Sequence, residues 1–167
     1  MACTNSCLIL SSCLMLLCLS QGLSVAQTEF PSARISCPEG SNAYGSYCYY
    51  FNEYPETWVD ADLFCQNMHS GHLVSVLNQA EAKFVASLIK ESGTNDRNVW
   101  VGLHDPKKNR RWHWSSGSLV SYKAWAVGAP SSVNPGYCVS LTSNTGFQQW
   151  KDQQCEASFS FVCKFKN

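Results

Sequence analysis

Six cysteines, Cys37, Cys48, Cys65, Cys138, Cys155 and Cys163, limit what this chain can fold into more than any other feature. Four more, Cys3, Cys7, Cys13 and Cys18, fall in a leading segment that carries no charged side chain up to Leu19 and is apolar from Leu8 to Leu10 and from Leu14 to Leu19. That segment reads as a secretory signal peptide, removed together with its cysteines. Small-x-small cleavage patterns occur at Ser20-Gln21-Gly22 and Ser24-Val25-Ala26. The first sets the expected boundary, a signal over 1–22. An uncleaved anchor fits less well, because the apolar stretch is short and broken by Ser11 and Ser12. Six cysteines in an exported chain of this size imply three disulfides and a secreted, extracellular domain. No two of them lie two to four residues apart, which argues against a zinc site. Spacing alone leaves about fifteen pairings open.

Charge excludes some partners. Lys+Arg and Asp+Glu are both 12, so no global field draws the protein onto nucleic acid or anionic lipid. The balance is uneven along the chain. From Leu23 to Pro106 the basic residues are Arg34, Lys83, Lys90 and Arg97, against ten acids, whereas from Lys107 onward eight basic residues face only Asp152 and Glu156. No later stretch is long and apolar enough to insert into a membrane.

Residues 23–36 are polar, aperiodic and hold Pro31, the pattern of a flexible N-terminal arm. Tyr47 to Phe51 reads as a strand buried on at least one face. Thr57 with Asp60 resembles a capping box, and Ala61, Phe64, Cys65 and Met68 follow as an apolar stripe, so a helix is expected to run until Gly71. Asn78 and Glu81 open a second helix whose face is Ala82, Val85, Ala86 and Ile89, closed by Ser92-Gly93. Strands are expected at Val99–Leu103, Arg111–Trp114, Tyr137–Leu141, Phe147–Trp150 and Phe159–Phe165. Two helices among many short strands make an α+β domain over 37–167. The Gly- and Pro-bearing stretch from Ser115 to Gly136 is too long for a passive connection and reads as a structured loop.

These segments resemble a known family. Val99-Trp100-Val101-Gly102-Leu103 looks like the central strand of C-type lectin domains, Gln149-Trp150-Lys151-Asp152 sits where they carry Trp-Asn-Asp, and the cysteine order is that of their long form. Ile35-Ser36-Cys37-Pro38-Glu39-Gly40, Leu103-His104-Asp105-Pro106, Arg111-Trp112-His113-Trp114-Ser115-Ser116 and Phe161-Val162-Cys163-Lys164-Phe165 are similar, more narrowly, to the Reg (regenerating) proteins, type I above all. The resemblance implies a single C-type lectin-like domain with antiparallel strands and the pairings Cys37–Cys48, Cys65–Cys163 and Cys138–Cys155. It also implies pancreatic and gut expression, growth-factor-like action through a cell-surface receptor or glycan, and restraint of calcium carbonate crystal growth at the crystal surface. O-glycosylation at Thr28 and self-association into fibrils after trimming of the arm follow from the same likeness. Arg34 before Ile35 is the expected tryptic site, the sole cation between the signal and Lys83.

One family property does not carry over. Sugar-binding C-type lectins hold calcium with a Glu-Pro-Asn tripeptide and the Asn-Asp of Trp-Asn-Asp, within a shell of about six to eight oxygens. Here the tripeptide position reads Ala129-Pro130-Ser131 and Lys151 replaces the Asn, so only Asp152 remains. No metal or other cofactor is expected, and Trp150 is read as core. The type III branch carries Glu-Pro-Asn in the earlier loop, where this chain has Lys107-Lys108-Asn109-Arg110-Arg111. Lys107, Lys108, Arg110 and Arg111, with Trp112 and Trp114 after them, form the candidate surface for anionic glycans or a receptor's acidic face. The competing reading is a solvated basic loop whose tryptophans anchor the sheet.

For catalysis the chain offers no nucleophile with a base and orienter. His69 and His72 fall at a helix end, His104 and His113 lack a partner motif, and Asp60 and Asp62 read as serving a helix N-terminus and solvent. The expectation is therefore a secreted binding protein and no enzyme. The alternative within that class is a calcium-independent lectin for peptidoglycan or anionic glycans with an antimicrobial role. There is no Asn-x-Ser/Thr sequon after the signal.

Overall fold

The computed structural model describes residues 36–167. The signal over 1–22, the arm except Ser36, Thr28, Arg34 and Ile35 lie outside the described residues.

The first helix, α1 (Trp58–Gln66), begins where the capping pattern puts it. Thr57 Oγ1 accepts the Asp60 amide at 3.3 Å and its hydroxyl donates to the Asp60 carboxylate at 3.0 Å. It stops earlier than expected, capped at Asn67, and Ser70 takes the left-handed region at φ 49° before Gly71. Ala61 and Cys65 are buried, but Phe64 is half exposed, and Trp58 and Asp62 complete the inner face instead. The second helix, α2 (Gln79–Glu91), has Asn78 Oδ1 accepting the Glu81 amide at 2.9 Å, and its apolar face Ala82, Val85, Ala86 and Ile89 is buried as read.

Around the helices lie β1 (Asn42–Tyr44), β2 (Tyr47–Glu56), β3 (His72–Leu73), β4 (Asn98–His104), β5 (His113–Trp114), β6 (Cys138–Thr142), β7 (Trp150–Gln153) and β8 (Phe159–Phe165). The sheet runs β1-β2-β8-β4-β6-β7, with β3 paired to β8 and β5 to β4. All pairings are antiparallel except β4 with β8, where Val99 and Trp100 lie in parallel register with Ser160 and Phe161. The strand expected at Phe147–Trp150 is displaced to β7. Gly146 and Phe147 both take positive φ, 66° and 58°, after a 3₁₀ turn at Ser143–Thr145, so buried Phe147 is an apolar turn residue and not strand.

Strand β4 explains why its sequence is continuously apolar and does not alternate. Val99, Val101 and Leu103 pack into one cluster with the α2 face, Val139 and Leu141, while Trp100 packs into the other with Trp58, Ala61 and Phe161. A strand covered on both faces has no polar side to show. Gly102 carries no side chain for a steric reason: a Cβ there would stand 2.6 Å from the Leu73 carbonyl oxygen and 2.9 Å from Ser115 Oγ. The three disulfides are those the family likeness implied. Cys65–Cys163 ties α1 to β8 across a sequence separation of 98. Closing so long a loop stabilises the fold by roughly 4–5 kcal/mol in the chain-entropy picture.

Candidate binding site

The basic loop leaves β4 through Asp105, which is buried. Its carboxylate accepts the amides of Asn109 at 3.1 Å and Arg110 at 2.8 Å, its carbonyl accepts Lys108 N–H at 3.3 Å, and its own amide donates to Tyr137 at 2.8 Å. Asn109 Oδ1 in turn accepts the Arg111 amide at 3.2 Å. Lys108 and Arg110 stand at φ 53° and 64°, a conformation costly for side chains of this size and held by those bonds. One buried anion thus shapes a loop whose side chains are all cationic or polar.

Lys107, Lys108, Arg110 and Arg111 are all exposed, and among the described residues none is ion-paired. Lys108 Nζ lies 5.1 Å from the Tyr137 ring centroid and the Arg110 guanidinium 5.8 Å from that of Trp112. Arg110 also donates to the Ser131 carbonyl on the long loop. Trp112 is half-buried against Trp125, with ring centroids 5.0 Å apart. Trp114 is 3 % exposed and packs edge-on against Trp150 at 5.6 Å, so it has no face for a ligand. The structure therefore leaves the four cations exposed on one short loop, brings Arg110 against Trp112, and places Trp114 in the core. Trp150 is fully buried among Trp114, Tyr122 and Trp125.

Asp152 decides the metal question. Its Oδ1 accepts Ser131 N–H at 2.9 Å and its Oδ2 accepts Gly136 N–H at 2.8 Å, so both oxygens pin the last stretch of the long loop to β7. Gly136 can come this close because it has no Cβ, which would stand 2.4 Å from the Gln153 carbonyl oxygen. Residues 129–131 supply no carboxylate or amide side chain, and the described residues contain no cluster of three metal-ligating groups. This donor set does not fit a calcium ion.

Acids that looked like surface charge are internal. Asp62, read from sequence as solvated, is buried: Oδ1 accepts Leu73 N–H and Ser115 Oγ, each at 2.9 Å, and Oδ2 accepts Gln66 Nε2 at 2.9 Å, with His72 Nδ1 3.4 Å away. Glu81 is buried with Lys164. His104 stacks on Trp58 at 4.3 Å, and loss of solvent lowers its pKa below the usual histidine range, opposed by the charges of Asp62 and Asp105.

Residues 54–165 match the Lectin C-type domain family, and the chain belongs to that family of binding domains. Within it the chain stands with the lithostathines of the Reg group. It is 78 % identical to human lithostathine-1-alpha over the full length of both chains, and 72 % identical to mouse lithostathine-1 over 97 % of this chain and 98 % of that one. The crystal structure of human lithostathine superposes with a TM-score of 0.79 at 82 % identity, covering 84 % of this chain and 98 % of that chain. No described helix is long and apolar enough to cross a membrane.

Proposed function

We propose that this is a secreted, calcium-independent interaction protein that engages a cell-surface receptor or sulfated glycan through the basic loop, with growth-factor-like signalling as the outcome. The observation that carries the reading is the Asp105 anchor. Four cations that form no ion pair among the described residues, on a backbone held by a buried carboxylate, present charge in a fixed geometry, which costs less ordering on binding than a mobile loop would. Inhibition of calcium carbonate growth has less support. Of the ten acids between Leu23 and Pro106, Asp62, Glu81 and Asp105 are withdrawn from the surface.

Replacing Lys107, Lys108, Arg110 and Arg111 together by Gln is expected to move elution from a heparin column to clearly lower salt. The unfolding midpoint should stay near that of the parent, since the anchor bonds use backbone amides and exposed substitutions usually change stability by only about 0.5 kcal/mol. Unchanged retention would leave the loop with no part in recognition.

Processing belongs to the same proposal. A signal over 1–22 exports the chain, and trypsin acts on the arm because Arg34 precedes a compact disulfide-bonded domain whose lysines and arginines are harder to cleave. Brief trypsin treatment is expected to cut once, giving Ile35 as the new N-terminus in sequencing, and to raise light scattering at neutral pH as the trimmed domain self-associates. A first cut elsewhere, or a trimmed domain as soluble as the parent, counts against it.

A further inference from the structure

Strand β2 breaks its pairing near its end. Asn52 lies opposite Phe161 and Glu56 opposite Phe159, so Glu53, Tyr54 and Pro55 face the single residue Ser160 and bulge out of the ladder. A bulge of this kind leaves its residues unpaired and re-aims their side chains. The buried Asn52 side chain holds it, with Oδ1 accepting the Tyr54 amide at 2.9 Å. Glu53, Tyr54, Pro55 and Glu56 are all exposed, Tyr54 to 70 %. Every other tyrosine of the chain is buried or half-buried. Tyr44 stacks on Phe84, Tyr47 and Tyr137 lie against the ammonium groups of Lys164 and Lys108, and Tyr49 is bonded to Glu81. Tyr54 is thus the phenol that a second protein can reach. Its surroundings are anionic. Glu53 precedes it, and Glu56 and Asp60 follow, all three exposed and, among the described residues, in no ion pair. No Lys or Arg occurs in the sequence from Ile35 to Ala82.

We propose that Tyr54 is a site of tyrosine O-sulfation, modified during export by a sulfotransferase that uses an adenine-nucleotide phosphosulfate donor. The inference rests on the export reading above, because such enzymes meet their substrates in the secretory route. The phenol proton passes to a base of the enzyme and on to solvent. The phenolate oxygen attacks sulfur, the S–O bond to the nucleotide phosphate breaks, and the chain gains SO₃ while the nucleotide leaves with its phosphate. An enzyme that binds so anionic a donor presents cationic walls, which draw in a peptide bearing carboxylates and repel one bearing lysines. The segment around Tyr54 has the favoured sign. The bulge meets the steric need as well, since an unpaired extended stretch can lie along a cleft and place one phenol in it. Pro55 has no N–H to give, so the bulge cannot close back into the ladder there. The product is a fixed anion among three carboxylates, opposite in sign to the basic loop and on a different stretch of chain.

The test has a cellular and a cell-free arm. The full chain is expressed in cultured secretory cells, recovered from the medium, reduced and digested, and the tryptic peptide Ile35–Lys83 is sequenced by electron-transfer mass spectrometry. A mass gain of one SO₃ is expected at Tyr54, absent when chlorate blocks synthesis of the donor and untouched by phosphatase. Tyr54→Phe should remove the gain and keep the parent's unfolding midpoint, because the ring is exposed. In the cell-free arm the purified, disulfide-bonded protein is incubated with a tyrosylprotein sulfotransferase and radiolabelled phosphosulfate donor. It should take up label at Tyr54, and Glu53→Gln with Glu56→Gln should slow the uptake roughly tenfold, the low end of what charge steering adds to a rate. Secreted protein without the gain, undiminished labelling of Tyr54→Phe, or a gain that phosphatase removes would each overturn the proposal. So would a folded protein that takes up no label. Retention of the chain inside the cell counts against export, whereas labelling in the cell-free arm, which needs no export, still supports Tyr54 as the acceptor.

Discussion

Lys164→Met is expected to destabilise the domain by about 3–5 kcal/mol, the range found when one partner of a buried ion pair is removed. Lys164 Nζ lies 2.6 Å from Glu81 Oε1, and the two side chains are 8 % and 5 % exposed. The pair has few unmet bonds: Nζ also donates to Ser75 O at 3.3 Å and Ser75 Oγ at 3.2 Å, Tyr49 donates to Glu81 Oε1 at 3.1 Å, and Leu77 N–H donates to Oε2 at 3.3 Å. Burial and the Glu81 charge push the Tyr49 phenol pKa far up, so it stays a donor across the working pH range. Taking away the ammonium leaves a carboxylate in the core with only neutral donors. Glu81→Met should cost a comparable amount, because it strands the ammonium. The double variant should lose much less than the sum, since no uncompensated charge remains and what is lost is chiefly the bonds to Tyr49 and Leu77. Urea unfolding of the four proteins measures this as a double-mutant cycle. Additive losses would mean the two groups act independently and the pair is not what holds β8 to α2.

That pair also marks where sequence reading stops. Local signals were legible because they act over a few residues: Thr57 and Asn78 cap the helices they precede, the α2 face is buried at its expected positions, and β8 keeps its bounds. Glu81 was equally visible as a helix-start residue, yet its partner lies 83 positions away, and no local pattern reports a charge met across the fold. Asp62, expected to face solvent, is misplaced for the same reason, since Leu73 and Ser115 meet it from other parts of the chain. Trp114 beside four exposed cations reads the same in sequence whether it faces a ligand or the core, and only the two-residue strand β5, pairing it with Leu103, decides which. A cleft lined by Arg97 and Lys151 is illegible in sequence because its walls come from four separate stretches of chain, the start of β4, the long loop, the 3₁₀ turn and β7.

Asp152→Ala is expected to free the last stretch of the long loop and cost roughly 2–6 kcal/mol, because two backbone N–H groups bonded to a buried carboxylate lose their acceptors together, at about 1–3 kcal/mol each. Ser131 and Gly136 donate those bonds from opposite ends of a six-residue excursion, so the single side chain acts as a clasp. Gly136 is fixed a second time by its approach to the Gln153 backbone, whereas Ser131 is otherwise tied by its carbonyl to Arg110 and by its hydroxyl to Asn134 N–H at 3.2 Å. Loss of the clasp should therefore show first at the Ser131 end. Hydrogen exchange is the measurement: protection at Ser131 should fall by orders of magnitude and at Gly136 by less, while Val99 to Val101 in β4 change only with global stability. Asp152→Asn retains one acceptor and turns an NH₂ toward the other amide, so it should give most of the alanine effect and not half. Saturating calcium should leave the unfolding midpoint of the parent unchanged, since a metal would have to take oxygens the loop already holds. A calcium-dependent rise in the parent that Asp152→Ala abolishes would reverse the assignment and make Asp152 a ligand.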